Sequence, residues 1–394
     1  MQNTDTLTVL HTSTHRLATP GIGSIAWYQI QGVAKEGCKV VATCTSFGKR
    51  PRCSLLNWAT LEILGLPIPK KVTGVDWACR IHDWRVARFL ERLEGQIDIV
   101  HCWPNGALET LRTARKLGIK SVLERPNAHT AYAYEVVAKE HRRLGVTMPK
   151  NYSHTYNRQR LEREEEEYAL ADGLLVPSDF VMGTFLERGF DRGRLVRHQY
   201  GYDPTRFSVA AQDFKERSQR PFTVAFVGRG EPRKGLHYAL QAWMESGLSR
   251  QGHFLICGDI VPSYREILGK WLSHQSIETL GFVSDLPAVL RKCDVLILPS
   301  LEEGSALVTY EARACGCVLV VSDRSGAHCE HLKNSLIHSA GDVQTLREHL
   351  LLLKQDRNLL SQLRESSITS VKNLTWSDAG KVLAKIYRQS VAQQ

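Results

Sequence analysis

The sequence predicts an α/β protein made of two doubly wound parallel-sheet domains in tandem. Three observations carry this. Short apolar runs alternate with helix-period segments from the N-terminus to about residue 200. The alternation stops in a polar stretch, residues 201–220, and restarts at Phe222. The chain has 394 residues, and at ~150 residues per domain it has room for two or three.

The elements follow in order. Leu7–Leu10 reads as the first strand, and Gly21-Ile22-Gly23-Ser24 opens a helix that runs to about Ala34. Strands are expected at Val40–Thr43, Asp98–Cys102, Ser121–Leu123 and Gly173–Val176, with a helix at Ala107–Lys116. A long charged helix precedes Gly173, and its Glu164–Glu167 run is expected on a solvated face. Asp203-Pro204 and Gln219-Arg220-Pro221 mark residues 201–220 as a linker. In the second half, strands are expected at Phe222–Val227, Phe254–Ile256, Leu280–Phe282, Val295–Leu298 and Val318–Val321. From Val343 the chain is expected to be helical to its end, with Leu346, Leu350 and Leu353 on one face. Ligands of open parallel sheets bind beyond the carboxyl ends of the strands. Two such sheets facing each other make the cleft between them the natural site.

The formal net charge is +10, which favours nucleotide phosphates, an anionic membrane or nucleic acid as partners. No run of ~18 apolar residues is present, so no membrane-spanning helix is expected. The N-terminus lacks a basic segment followed by a long apolar one, so no signal peptide is expected. Ten cysteines are scattered without a CxxC pair. Buried reduced thiols are expected, in keeping with a cytoplasmic location.

Four loops carry the candidate chemistry. After the strand ending at Leu298, small residues (Gly304, Ser305, Ala306) open a helix at Leu307, between two carboxylates, Glu303 and Glu311. A helix start offers free N–H groups to phosphate, and carboxylates hold hydroxyl pairs. After the strand ending at Val227 comes Gly228-Arg229-Gly230-Glu231-Pro232-Arg233-Lys234-Gly235, where Arg229 and Lys234 could neutralise a diphosphate. Gly21 and Gly23 form a third loop, without the third glycine and the acid of a dinucleotide fingerprint. His129, in Glu124-Arg125-Pro126-Asn127-Ala128-His129, is a candidate polar contact past another strand end. On spacing alone, each of these is equally compatible with a surface loop or a structural residue. No pair of aspartates stands in a DxD arrangement, so cationic side chains rather than a chelated metal are expected to hold any diphosphate.

Taken together, the four loops resemble the retaining glycosyltransferases of family 4. Glu303 and Glu311 match that family's E-x7-E motif, and Gly228, Arg229, Lys234 and Gly235 match its Gly-Arg…Lys-Gly motif. Leu280-Gly281-Phe282-Val283 is similar to its base-binding strand end, and Val176-Pro177-Ser178 and Gly201-Tyr202-Asp203 to further landmarks. The resemblance implies a GT-B fold: an acceptor-side domain at 1–205, a donor-binding domain at 206–375, and a C-terminal helix, 376–394, returning to the first domain. It implies a nucleotide-diphosphate sugar donor, UDP- or GDP-linked, no cofactor and no metal. The implied acceptor is a glycan or lipid-linked hydroxyl of cell-envelope or polysaccharide synthesis, and the reaction is expected to retain configuration.

The resemblance also implies roles. Arg229 and Lys234 neutralise the diphosphate, Glu311 holds ribose, and Glu303 and His129 contact the sugar. Backbone at Ser305, Ala306 and Leu307 takes phosphate, Phe282 and Val283 lie at the base, and Gly21 or Gly23 approaches the diphosphate from the first domain. The sequence departs from the family at Gly304-Ser305-Ala306, where Gly-Phe-Gly is common, and at Ser325-Gly326-Ala327, where paired glycines are common. Residues 139–160 carry six cations against Glu140 and could rest on an anionic membrane, as a protein peripheral to the inner face would. Two rival readings are a transferase acting on nucleic acid and a non-catalytic nucleotide-sugar binder. No nucleic-acid-binding module is visible, and the intact charged motifs speak against a mere binder.

Overall fold

The computed structural model describes residues 6–63, 66–68, 74–149 and 152–392. The first half holds β1 (Thr8–Ser13), β2 (Lys39–Cys44), β3 (Leu56–Ala59), β4 (Glu62–Ile63), β5 (Leu66–Pro67), β6 (Ile99–Cys102), β7 (Lys120–Glu124), β8 (Gly173–Val176) and β9 (Leu195–Arg197). Its helices are α1 (Ile22–Lys35), α2 (Val75–Arg92), α3 (Leu108–Lys116), α4 (Thr130–Leu144), α5 (Arg158–Leu170) and α6 (Asp179–Leu186). The second half holds β10 (Phe222–Val227), β11 (Gly252–Cys257), β12 (Ile277–Gly281), β13 (Val295–Leu298), β14 (Val318–Ser322) and β15 (Ser335–His338). Around these lie α7 (Ala211–Ser218), α8 (Leu236–Glu245), α9 (Pro262–Leu272), α10 (Leu286–Leu290), α11 (Leu307–Ala314), α12 (Val343–Gln355), α13 (Arg357–Val371) and α14 (Trp376–Ala392).

Two parallel sheets result. The first has seven strands in the order β3-β2-β1-β6-β7-β8-β9, the second six in the order β12-β11-β10-β13-β14-β15. Strands buried on both faces read as continuous apolar runs, and Val295–Leu298 and Val318–Val321 are buried throughout. The order reverses between β1 and β6 in one sheet and between β10 and β13 in the other. At such a reversal, neighbouring loops leave to opposite faces and open a crevice at the strand ends.

Three expectations need correction. Phe282 is not in a strand: β12 ends at Gly281 and the Phe282 ring is 78% exposed. The stretch 201–220 is not all linker. It holds α7, and buried Arg217 donates to the carbonyls of Gly316 (2.6 Å) and Arg291 (2.6 Å), tying α7 to the second domain. The glutamate run is half buried. Helical spacing of three turns Glu164 and Glu167 inward, where Arg125 meets Glu164 at 3.0 Å and the N–H groups of Asn105 and Ala107 meet Glu167 at 3.0 Å. Short strands β3, β9 and β15 escape the sequence pattern because Asn57 interrupts the first and the other two offer only two consecutive apolar residues each. Of the cysteines, Cys53 is exposed, Cys329 is partly buried and the others are buried.

The last helix returns to the first domain. α14 crosses α1 where Gly32 and Gly380 abut, and a Cβ on Gly380 would lie 2.5 Å from the Gly32 Cα. Tyr28 stacks on Trp376 with ring centroids 4.7 Å apart, and the Tyr387 hydroxyl lies 2.6 Å from His101 Nδ1. In the same polar core, buried Glu124 accepts from Gln29 (2.8 Å) and from Tyr200 (2.8 Å), and His198 lies 2.9 Å away. Because the helix backbones touch, Gly380→Leu should push α14 off α1. Over-packing of this kind costs about 1–3 kcal/mol, and a lowered melting temperature with faster proteolysis after α13 is the expected result.

Candidate functional site at the domain interface

Both motif loops of the second domain leave the ends of β10 and β13, on either side of its strand-order reversal. The first turns through a 3₁₀ segment at Pro232–Lys234 and reaches Gly235 at φ 68°. Glycine is required there twice over: the backbone is left-handed, and a Cβ would lie 2.2 Å from the Pro299 carbonyl oxygen of the second loop. That packing sets Lys234 against Glu303, which form an ion pair. Arg229 is exposed, with no ion pair among the described residues. Gly228 has φ 139° and sits against the Lys234 side chain.

The second loop ends at Ala306, the N-cap of α11, with no side-chain cap. The N–H groups of Leu307 and Val308 are therefore open to an anion, while that of Thr309 donates to the Ala306 carbonyl at 2.9 Å. The Ser305 hydroxyl is spent on Tyr310, 2.8 Å away. Glu311, two turns on from Glu303's loop, is partly buried, and burial raises its carboxyl to about 7 against the opposing pull of Arg206. Tyr28 of the first domain feels the same charges, Asp203, Arg206 and Glu311. Arg206 also reaches the Ser284 carbonyl at 3.5 Å, beside Phe282 and Val283. The sequence reading missed both Arg206 and Tyr28.

It also missed what holds the loops in place. Glu302, fully buried, accepts from the Ala128 N–H (3.1 Å) and lies 3.5 Å from His154, both in the first domain. Arg233 lies 3.1 Å from Glu302, 3.3 Å from Glu303 and 3.0 Å from Glu231. Burial opposes ionisation of Glu302, but His154 and Arg233 hold its carboxyl down to about 2. Glycine at 304 allows the closest approach of the domains: a Cβ there would lie 1.5 Å from the Pro126 carbonyl oxygen. The Ser178 hydroxyl completes the contact, donating to the Gly304 carbonyl at 2.6 Å.

Two expectations change on this geometry. His129 caps α4, its Nδ1 accepting from the Ala131 N–H at 3.2 Å, and it packs against Phe185, Tyr168 and Phe190. Burial, with Arg125 and Arg188 nearby, lowers it to about 3. A sugar contact by His129 would thus fall to a neutral ring and its Nε2 alone. The basic stretch 139–160 is engaged only in part, Lys139 and Arg142 staying exposed. Within it Glu140 takes His237 (2.9 Å) and Tyr238 (3.0 Å) of the second domain, and Arg143 reaches His237 at 2.8 Å. In the first domain, Gly21 has φ 85° and caps α1, whereas Gly23 is explained locally, since a Cβ would meet the Arg16 carbonyl oxygen at 2.1 Å.

Residues 221–356 match the family model described as glycosyl transferases group 1. A D-inositol 3-phosphate glycosyltransferase of Salinispora arenicola is 25% identical over 332 residues, 76% of this chain and 70% of that one. An N,N'-diacetylbacillosaminyl-diphospho-undecaprenol alpha-1,3-N-acetylgalactosaminyltransferase of Campylobacter jejuni is 30% identical over 138 residues, 33% of this chain and 36% of the relative. Among solved structures, Anabaena HepE in complex with UDP and glucose superposes with a TM-score of 0.68 at 14% identity, covering 97% of this chain and 100% of that one. The lipopolysaccharide glycosyltransferase WaaG superposes at 0.69 with 15% identity, over 96% and 99% of the two chains.

Two predictions follow from the site. Glu311 has a folded-state value raised above the ordinary 4.5. Its contribution to stability is full below the unfolded value and is lost as pH rises through the folded one. Glu311→Gln should therefore stabilise the unliganded protein by roughly 1–3 kcal/mol at about pH 8 and by far less at about pH 5, read from melting temperatures. Glu302→Gln leaves Arg233 and His154 facing a neutral group. A loss of about 1–3 kcal/mol is expected, with small-angle scattering showing the domains further apart.

The two parallel sheets, the loops at their strand-order reversals and the superposed structures give the chain the GT-B fold, and about a third of it, residues 221–356, is similar to the group 1 glycosyl transferases.

Proposed function

We propose that the chain moves a sugar from a UDP- or GDP-linked donor to a hydroxyl of a glycan or lipid-linked acceptor, with retention of configuration and with side chains rather than a metal neutralising the diphosphate. The observation that carries this is the meeting of Lys234 with Glu303 beside the uncapped start of α11. A cation, a hydroxyl-binding carboxylate and the two free N–H groups of Leu307 and Val308 together suit a sugar joined to a diphosphate. Lys234 and Arg229 would bind the diphosphate oxygens and stabilise the charge that develops on the leaving group. Glu303 would then turn from Lys234 to the sugar hydroxyls, and Glu311 would hold the ribose. Retention follows if the acceptor oxygen attacks C1 from the side of the leaving diphosphate. The C1–O bond to phosphate breaks, the new C1–O bond forms, and a phosphate oxygen takes the acceptor proton.

The acceptor side has a matching cavity. At the strand-order reversal of the first sheet, Thr14, His15, Asn105, Tyr152, Tyr156 and Arg160 line a space of about 900 Å³. Tyr152 and His154 lie on one segment, so its inner side meets the donor loops while its outer side lines the cavity. Aromatic rings with amide and hydroxyl neighbours suit a sugar acceptor. The lipid-linked undecaprenyl carrier named for the Campylobacter relative supports this class of acceptor.

A thermal-shift panel of UDP-, GDP- and ADP-sugars tests the donor reading. A ligand at a hundred times its Kd adds about 2.7 kcal/mol to stability. One nucleotide class should raise the melting temperature, and Lys234→Ala should abolish both that shift and slow donor hydrolysis. Full hydrolysis by Glu303→Ala would overturn the site assignment.

A further inference from the structure

Much of the exposed apolar surface is gathered in one region of the first domain. Leu55 (63%), Leu56 (44%), Val75 (55%), Trp77 (50%) and Trp84 (53%) all stand open to solvent. The two tryptophans belong to α2, whose other face buries Ala78, Cys79, His82, Val86 and Leu90. At ~100° per residue, Trp77, Trp84 and Arg88 fall on one line of the helix, with Arg80 and Arg92 beside it. Leu56, Trp84, Arg88 and Arg92 line a shared groove of about 850 Å³ between α2 and the edge strand β3. Exposed apolar area on this scale marks an interaction site rather than ordinary surface.

The charge of the region selects the partner. α2 carries Arg80, Arg85, Arg88 and Arg92 against Asp76, Glu91 and buried Asp83. Asp76 is matched by Arg160 at 3.1 Å and Glu91 by Arg88 at 3.1 Å, which leaves the arginines in excess. Tryptophans flanked by long cationic side chains suit the boundary between lipid headgroups and acyl chains. No described helix is long and apolar enough to cross a membrane, so such a helix would lie along the surface.

We propose that the outer face of α2 with the β3 edge docks on an anionic lipid bilayer and presents the acceptor cavity to it. The link is the helix itself, because Val75, Asp76 and Cys79 at its start line that cavity. A lipid-linked sugar could then enter from the membrane without leaving it. This second part rests on the acceptor reading above, whereas the docking does not.

Vesicle flotation of the full chain tests the docking with phosphatidylcholine vesicles made with and without phosphatidylglycerol. The wild type should float with the anionic vesicles and be released by salt. Trp77→Ser with Trp84→Ser, and separately Arg88→Glu with Arg92→Glu, should each weaken binding about tenfold or more. Lys139→Glu with Arg142→Glu should leave it unchanged. All these side chains are exposed, and unchanged melting temperatures will show that the variants fold. The proposal is overturned if the wild type ignores anionic vesicles, or if the tryptophan and arginine variants float as well as it does. It is also overturned if sedimentation shows a dimer that Trp77→Ser with Trp84→Ser dissociates, since the face would then join two copies. If flotation succeeds and no nucleotide sugar shifts the melting temperature, the docking stands and the donor reading falls, and with it the role of the cavity as acceptor site.

Discussion

Two adjacent carboxylates on one loop, Glu302 and Glu303, need positive charge from different sources, and Arg233 touches both. Glu302 is sealed from water and receives Ala128 and His154 from the other domain. Such a charge is tolerable only when paired and hydrogen-bonded. Ala128 and His154 arrive only when the domains are together, so the buried acid ties the domain approach to the position of the loop. The same loop carries Glu303 to Lys234 and leads into the free end of α11. The electrostatics of the donor side and the contact between domains are thus one arrangement.

Sheet topology explains why these loops lie where they do. The strand order of each sheet reverses once, and the candidate groups of each domain cluster at that reversal. In the second sheet the loops after β10 and β13 supply Lys234 and Glu303. In the first, the segments after β1 and β6 supply Thr14, His15 and Asn105. The return of α14 across α1 then anchors the C-terminal end of the chain on the first domain. The Gly32–Gly380 contact lets the two backbones touch, and Tyr387 carries α14 into a polar core that also holds Glu124 and the crossing residues His198 and Tyr200.

α2 has a different character from the rest of the surface. Its inner face packs as any amphipathic helix does, but its outer face repeats tryptophan where a solvated helix would carry polar groups. The sequence reading had looked for a membrane face at 139–160, where cations outnumber acids. There Arg143 pairs with Glu140 and hydrogen-bonds His237, while the region at 75–92 adds exposed tryptophan to its excess of arginine.

The alternation of strands and helices, the two sheets and the two motif loops are legible in the residues alone, because buried parallel strands and glycine-bearing turns depend on local residue type and spacing. Arg229, Lys234, Glu303 and Glu311 stand out as candidates in that way. Folding settles which neighbour each charge meets. Glu302 and Arg233 sit beside motif residues in the chain, yet their worth comes from His154 and Ala128, well over a hundred residues away from Glu302. Burial of Glu164, Glu167 and Arg217 was hidden for the same reason, since a charged residue looks solvated until its partner is known. His129 shows the converse: its place past a strand end points to a ligand, and only the fold shows that its Nδ1 caps a helix and its ring packs against three aromatic rings. Partner choice over long sequence distances has no local period, so only the folded chain reveals it.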